Sequence, residues 1–241
     1  MNTDTDTTPD SDENQKQSRI ISKVLSPAVQ LWLRSLIEQV SNLEVKISGS
    51  DRSLLTGQIE RISISASGVV YQGLHLSQIH LVGENICINL GQVLRGKPLR
   101  LLEPVPVSGE LLLKEADLNS SVRSPMFANA LTELLTTLLP PTYTKGQQLS
   151  CNKITLNSNQ LIINADLVAD DNNLKSIVIH TILNLASCHQ LLLQSQVDND
   201  IGLPSVNLDD FTLDLGSEVN IHELSLSPGQ LICRGRIKVL P

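Results

Sequence analysis

Aromatic residues are nearly missing from this chain, which has one Trp, two Tyr and two Phe among 241 residues. Leu, Ile and Val must therefore supply almost the whole core, and aliphatic burial is the dominant folding force. Positive charge is also scarce. Eighteen Lys and Arg against 25 Asp and Glu give a net charge of −7. With so few rings to stack on bases, this excludes an ordinary nucleic-acid surface. Cysteine is sparse and dispersed: Cys87, Cys151, Cys188 and Cys233 form no close pair, so reduced thiols are expected rather than a disulfide framework. Long apolar runs are absent too. The richest, around Leu131 to Leu139, falls well short of the roughly 20 residues of a spanning helix. The opening MNTDTDTTPDSDENQKQS has neither the basic nor the apolar region of a signal peptide. It reads as a disordered acidic tail over residues 1–19, followed by a single domain over 20–241. A cytoplasmic protein is expected, with any membrane contact peripheral.

What is present is periodicity. Ile21, Val24, Leu25, Ala28, Leu31, Trp32, Leu36 and Val40 recur near 3.6 residues and predict a first helix, with Ser26-Pro27 marking its start. A second helix is predicted after Ser124-Pro125, with Phe127, Leu131, Leu134, Leu135 and Leu138 on one side and Pro140-Pro141 as its stop. Most of the rest alternates with period two, from Leu43, Val45 and Ile47 through Ile62 and Ile64, Ile79 and Leu81, Ile86 and Ile88 to Val219 and Ile221. These predict ten or more half-buried strands. A weak repeat aligns ITLNSNQLIINADL from Ile154 with LSLSPGQLICRGRI from Leu224, and IHLVGENICI from Ile79 fits the same template. Each copy reads as strand, four-residue polar turn, strand. Such a unit suits a meander of hairpins as well as a duplication.

Chemical signatures are weak. Gly91-Gln-Val-Leu-Arg-Gly96-Lys97-Pro98 matches a phosphate-binding loop up to its last position, where proline supplies neither hydroxyl nor N–H. His75, His80 and Cys87 lack a defined ligand spacing, so no metal and no cofactor is expected. Ser63, Ser65 and Ser67 alternate as a solvated strand face, without a nucleophile elbow. Glu103, Glu110, Glu115 and Asp117 show no sign of converging on a cleft. The chain is therefore read as a non-enzyme.

Two apolar features remain. The second helix carries only Glu133 as a charge between Phe127 and Leu139, so it is buried widely, as a core helix or as one wall of a groove. Around Arg95, Lys97 and Arg100, basic residues alternate with Val93, Leu94, Leu99, Leu101 and Leu102. That loop suits either an anionic headgroup surface or plain solvent.

The stretches SPAVQLWLRSLIEQVSNLEVKISG and RISISASGVVYQGLHLSQIHLVGENICINLGQVLRGKPLRLLEPVPVSGELLLKEADLNSSVRSP resemble the LmeA-like phospholipid-binding family of bacteria. The likeness runs from Ser26 to the C-terminus. Its most characteristic parts are Gly73 to Leu90 and the Glu115-Ala116-Asp117-Leu118-Asn119 turn into the second helix. The resemblance implies a tubular lipid-binding (TULIP-like) fold, a curved antiparallel sheet wrapping a helix beside an apolar channel.

The expectation is thus a β-rich α+β protein, its long curved antiparallel sheet wrapping one or two helices. It would bind phospholipid or a similar amphiphile, with Trp32, Leu36, Phe127, Leu131 and Leu135 as groove residues and Arg95, Lys97 and Arg100 at the headgroup or membrane surface. The alternative is a protein-interaction or assembly domain that uses exposed sheet edges, docking through the Arg234, Arg236 and Lys238 face of the C-terminal strand.

Overall fold

The computed structural model describes residues 25–169, 174–199 and 206–241. The acidic tail expected over 1–19 lies outside them, and the first helix, α1, is described over 25–36, so it includes Leu25 and stops short of Val40. Then follow β1 (Asn42–Ser48), α2 (Asp51–Leu55), β2 (Gln58–Tyr71), β3 (Leu74–Cys87), α3 (Leu90–Val93), β4 (Val105–Lys114), α4 (Glu115–Val122), α5 (Pro125–Leu138) and α6 (Pro141–Thr144). The chain continues as β5 (Gln147–Asn157), β6 (Gln160–Ala169), β7 (Leu174–Ser187), β8 (Gln190–Asn199), β9 (Val206–Asn207), β10 (Phe211–Asp214), β11 (Val219–Ser227) and β12 (Gln230–Val239).

The protein is β-rich α+β, and its curved antiparallel surface is divided into two open sheets. The first has the order β1-β2-β3-β4-β12-β11 and the second β10-β8-β7-β6-β5, with β9 beside β8. Because β12 pairs with both β4 and β11 along its length, it is an interior strand. The docking edge expected there does not exist, and Arg234 is bound to Glu110 and Glu223 on the sheet's outer side.

The strands β2 and β3 are 14 residues each, longer than the short alternating segments suggest. Each steps out of phase twice, and the steps face one another: Glu60 opposite Asn85, Gly68 opposite Ser77, the two pairs missing from an otherwise constant register. Asn85 (φ 54°) and Gly68 (φ 57°) take the left-handed turn at these steps, which increases local twist and lets long strands curl. The sequence VGEN in β3 is therefore a phase step in one strand and not the turn of a hairpin. The other two copies of the template are real hairpins, β5–β6 and β11–β12, closed by two-residue turns at Ser158-Asn159 and Pro228-Gly229.

Those two turns meet. The Gly229 N–H donates to the Leu156 carbonyl (2.9 Å) and the Asn159 N–H to the Leu226 carbonyl (3.4 Å), a reciprocal contact between equivalent positions of the repeat. Beside it lies α4, where sequence suggested only a turn. Its Asn119 side chain donates to the Ile154 carbonyl (2.7 Å) and accepts from the Ile154 N–H (2.8 Å), while Glu115 accepts from the Leu156 N–H (2.9 Å). On the other side Asp117 accepts from the Ser77 hydroxyl, and Ser121 accepts from the His75 N–H (2.8 Å). Residues 115 and 119 thus serve the second sheet, and 117 and 121 the first. This is the i, i+4 spacing that puts each pair on one helix face.

The second helix forms as predicted: Ser124 precedes α5, Pro125 opens it and Pro140-Pro141 follow it. It packs into the large core cluster with the second sheet, where Leu135, Ile179 and Val197 are fully buried.

Asn119→Ala leaves both backbone groups of Ile154, itself 2% exposed, without partners. At about 1–3 kcal/mol per unsatisfied buried group, we expect a loss of about 2–6 kcal/mol. A urea titration should show it as a lower midpoint with an unchanged slope.

Candidate functional site

Six strands about 4.8 Å apart make the concave face of the first sheet roughly 24 Å across, while a helix with its side chains is only about 10 Å wide. Among the described residues, α1 is the helix that lines the open part of that face. One end is closed by a dry cluster in which Leu25 and Val29 of α1 pack with Leu54, Ile59, Ile62, Ile86, Ile88 and Val105. The other is closed by Val69 and Leu76, which belong to the main core. Between the two plugs the face is not filled. Ile64, Ala66, Ile79, Leu81, Val107, Leu111 and Ile221 point into a groove of about 600 Å³ and are only half-buried. Its size falls within the roughly 300–1,000 Å³ usual for ligand pockets.

The α1 wall comprises Val29, Trp32, Leu33 and Leu36, continued by Ile37 just after the helix. Trp32 and Leu36, two of the expected groove residues, are therefore both in the lining. Phe127, Leu131 and Leu135 are elsewhere: Leu131 and Leu135 are buried in the main core and Phe127 packs against it. Their helix is claimed by the second sheet. Sequence reasoning passed over the concave residues of β2, β3, β4, β11 and β12, although their signal was present. In β2, Ile62, Ile64 and Ala66 alternate with Ser63, Ser65 and Ser67, so the apolar set had to face something the polar set did not.

The lining is aliphatic apart from Trp32, Tyr71, Cys233, Glu110 and Arg236. Glu110 is engaged by Arg234 Nε at 2.7 Å. Burial pushes the Cys233 thiol above its ordinary pKa, and it pushes Cys151 up to about 11. Among the described residues no three His, Cys, Asp or Glu side chains converge as a metal site, and no helix is long and apolar enough to cross a membrane. His80 instead shares a hydrogen bond with Ser65 on the outer face (3.1 Å). The Gly91–Pro98 segment is the short α3 and a loop, with none of the strand–loop–helix geometry of a phosphate cradle.

At the Ile88 end of the groove, the loop from α3 to β4 is built on Asn89, which is 9% exposed. The Asn89 amide donates to the Pro98 carbonyl (3.0 Å), its side-chain oxygen accepts from the Arg100 N–H (2.7 Å), and its backbone N–H donates to the Arg100 carbonyl (3.2 Å). Pinned in this way, the loop turns Leu99 and Leu101 inward to the groove and leaves Arg95, Lys97 and Arg100 exposed.

The thiolate is the reactive form of cysteine, so a raised pKa and burial both slow alkylation. At pH 8, below the folded pKa of about 11 for Cys151, iodoacetamide mapping should modify exposed Cys188 first and Cys151 and Cys233 much later. Asn89→Ala unpins the loop, and limited trypsinolysis should then cut after Arg95 and Arg100 several-fold faster while the rest of the chain keeps its cleavage pattern.

Compared with known proteins, the chain matches the family model described as LmeA-like phospholipid-binding over residues 16–236. No curated protein and no solved structure matches it.

Proposed function

The chain belongs to the LmeA-like phospholipid-binding family, and from that premise we propose that it holds the acyl portion of a phospholipid in the groove between α1 and the first sheet, without chemical conversion. The observation that carries this reading is the row of half-buried aliphatic residues between two fully packed plugs. An interior left open over that length forfeits contacts that a well-packed core would make, and an aliphatic ligand supplies them. The lining offers an amphiphile a surface for its tail, and the polar head can remain outside the apolar walls.

Energetics favour exchange over retention. Burying a methylene gains about 0.8 kcal/mol relative to water, but a bilayer gives the same chain an equally apolar home. Uptake from a membrane is therefore nearly balanced, which suits a carrier that must also release its cargo.

Native mass spectrometry after incubation with phospholipid vesicles should show one lipid per chain. Ala66→Trp fills the groove and Leu81→Asp puts a charge on its wall. Each should weaken occupancy at least about tenfold, the equivalent of roughly 1.4 kcal/mol, and Ala66→Trp should leave the melting temperature unchanged or raised. With lipid bound, Cys233 should be protected from alkylation relative to Cys188. A wild-type chain that stays lipid-free after vesicle incubation would sink the reading.

A further inference from the structure

We propose that the loop joining α3 to β4, together with the penultimate residue Leu240, is a docking surface for an anionic phospholipid bilayer, set against walls that it shares with the groove. The inference rests on the groove reading for its purpose, but on separate observations for its existence. Three leucines, Leu94, Leu102 and Leu240, are 62%, 58% and 57% exposed and gather around one loop, whereas Leu31, Leu55 and Leu174, also exposed, lie on α1, α2 and β7. Arg95, Lys97 and Arg100 stand among them, and none forms an ion pair or side-chain hydrogen bond among the described residues. The one acid in the loop is exposed Glu103, so the patch is cationic on a chain of net charge −7.

Charge complementarity selects the occupant. Exposed leucines alone would suit any apolar partner, but leucines interleaved with unpaired cations match an interface with anionic headgroups above and acyl chains beneath. Continuity with the groove supports the same choice. A cleft under the loop is lined by Trp32, Leu99, Arg100, Leu101, Leu102 and Leu240, and its Trp32, Leu99 and Leu101 also line the groove. The surface that would touch the bilayer and the cavity that would take the tail share walls. The Asn89 hydrogen bonds hold the loop in shape beforehand, so little ordering remains to be done on contact.

The test is co-sedimentation of the full chain with vesicles of phosphatidylcholine alone or with phosphatidylserine added, read beside phospholipid occupancy by native mass spectrometry with lipid delivered from detergent. Binding is expected only to the anionic vesicles and should fall as salt rises. Each cation near such a surface contributes about fivefold, so the combined Arg95→Gln, Lys97→Gln and Arg100→Gln variant should bind roughly a hundredfold more weakly. Leu94→Ser with Leu102→Ser should weaken binding at every salt concentration. All these variants lie on exposed positions and should retain detergent-delivered lipid. Equal binding to neutral vesicles, full binding by the charge-neutralised variant, or self-association through Leu94 and Leu102 in place of vesicle binding would overturn the proposal. A chain that docks in this charge-dependent way yet never holds a lipid would support the docking surface while overturning the groove.

Discussion

The structure depends on one short helix that satisfies two sheets at once. Glu115 and Asn119 of α4 take up the outward backbone groups of Ile154 and Leu156 on the free edge of β5, while Asp117 and Ser121 hold β3 in the first sheet. A strand edge presents unpaired N–H and C=O groups that otherwise recruit other strands or remain unsatisfied when buried. Here side chains with the geometry of a backbone ladder replace the missing strand. The reciprocal bonds between the hairpin turns at Asn159 and Gly229 complete the junction. The joint is therefore polar, directional and specific in register, whereas the cores on either side of it are aliphatic and non-directional.

That joint determines what fills each sheet. Because α5 follows α4 after only Arg123 and Ser124, fixing α4 delivers α5 to the second sheet, where Leu131, Leu135 and Leu138 close the core. Among the described residues, the open part of the first sheet's concave face is left to α1. Two consequences of chain geometry then meet: a six-stranded concave face is wider than one helix, and the phase steps at Gly68 and Asn85 curl β2 and β3 around the space that remains. The groove is thus a product of topology, with its apolar lining set by strand alternation, and no special residue is needed to open it.

Much of this was legible in the sequence. The α5 boundaries follow from Ser124, Pro125 and the Pro140-Pro141 stop, since these residues act through local backbone geometry that neighbours cannot change. The β-rich α+β class follows from alternation, and the two true hairpins follow from the repeat. What misled was also local. VGEN looks like a turn because Gly and Asn are turn residues, yet the same left-handed conformation serves a phase step inside a strand, and only the pairing partner decides which. EADLNSSV reads as a turn because its polar side chains disfavour a free helix; their partners lie about 35 to 46 residues away in sequence and are invisible in a local window. The division of labour between the two helices was hidden for the same reason. Both carry apolar faces, and whether such a face meets a closed core or an open groove depends on the width of the sheet opposite.

The groove's chemistry constrains any ligand more through shape than through charge. Glu110 is already engaged by Arg234, and the remaining walls are dominated by branched aliphatic side chains that make many weak dispersion contacts and no directional ones. Under the proposed reading, discrimination inside the groove would then follow chain length and saturation, because a kinked or overlong tail meets the packed plugs at Ile62 and Val69. Selection of an anionic membrane would have to arise outside the groove, at the loop where Arg95, Lys97 and Arg100 form no ion pair among the described residues. Separating the two tasks has a thermodynamic advantage for a carrier: a strong headgroup contact inside the groove would deepen the bound state and slow release, whereas cations placed on the rim favour an anionic membrane for both uptake and delivery. The rigid Asn89 support fits that arrangement, since a rim that must re-form at each encounter would add an ordering cost to every transfer.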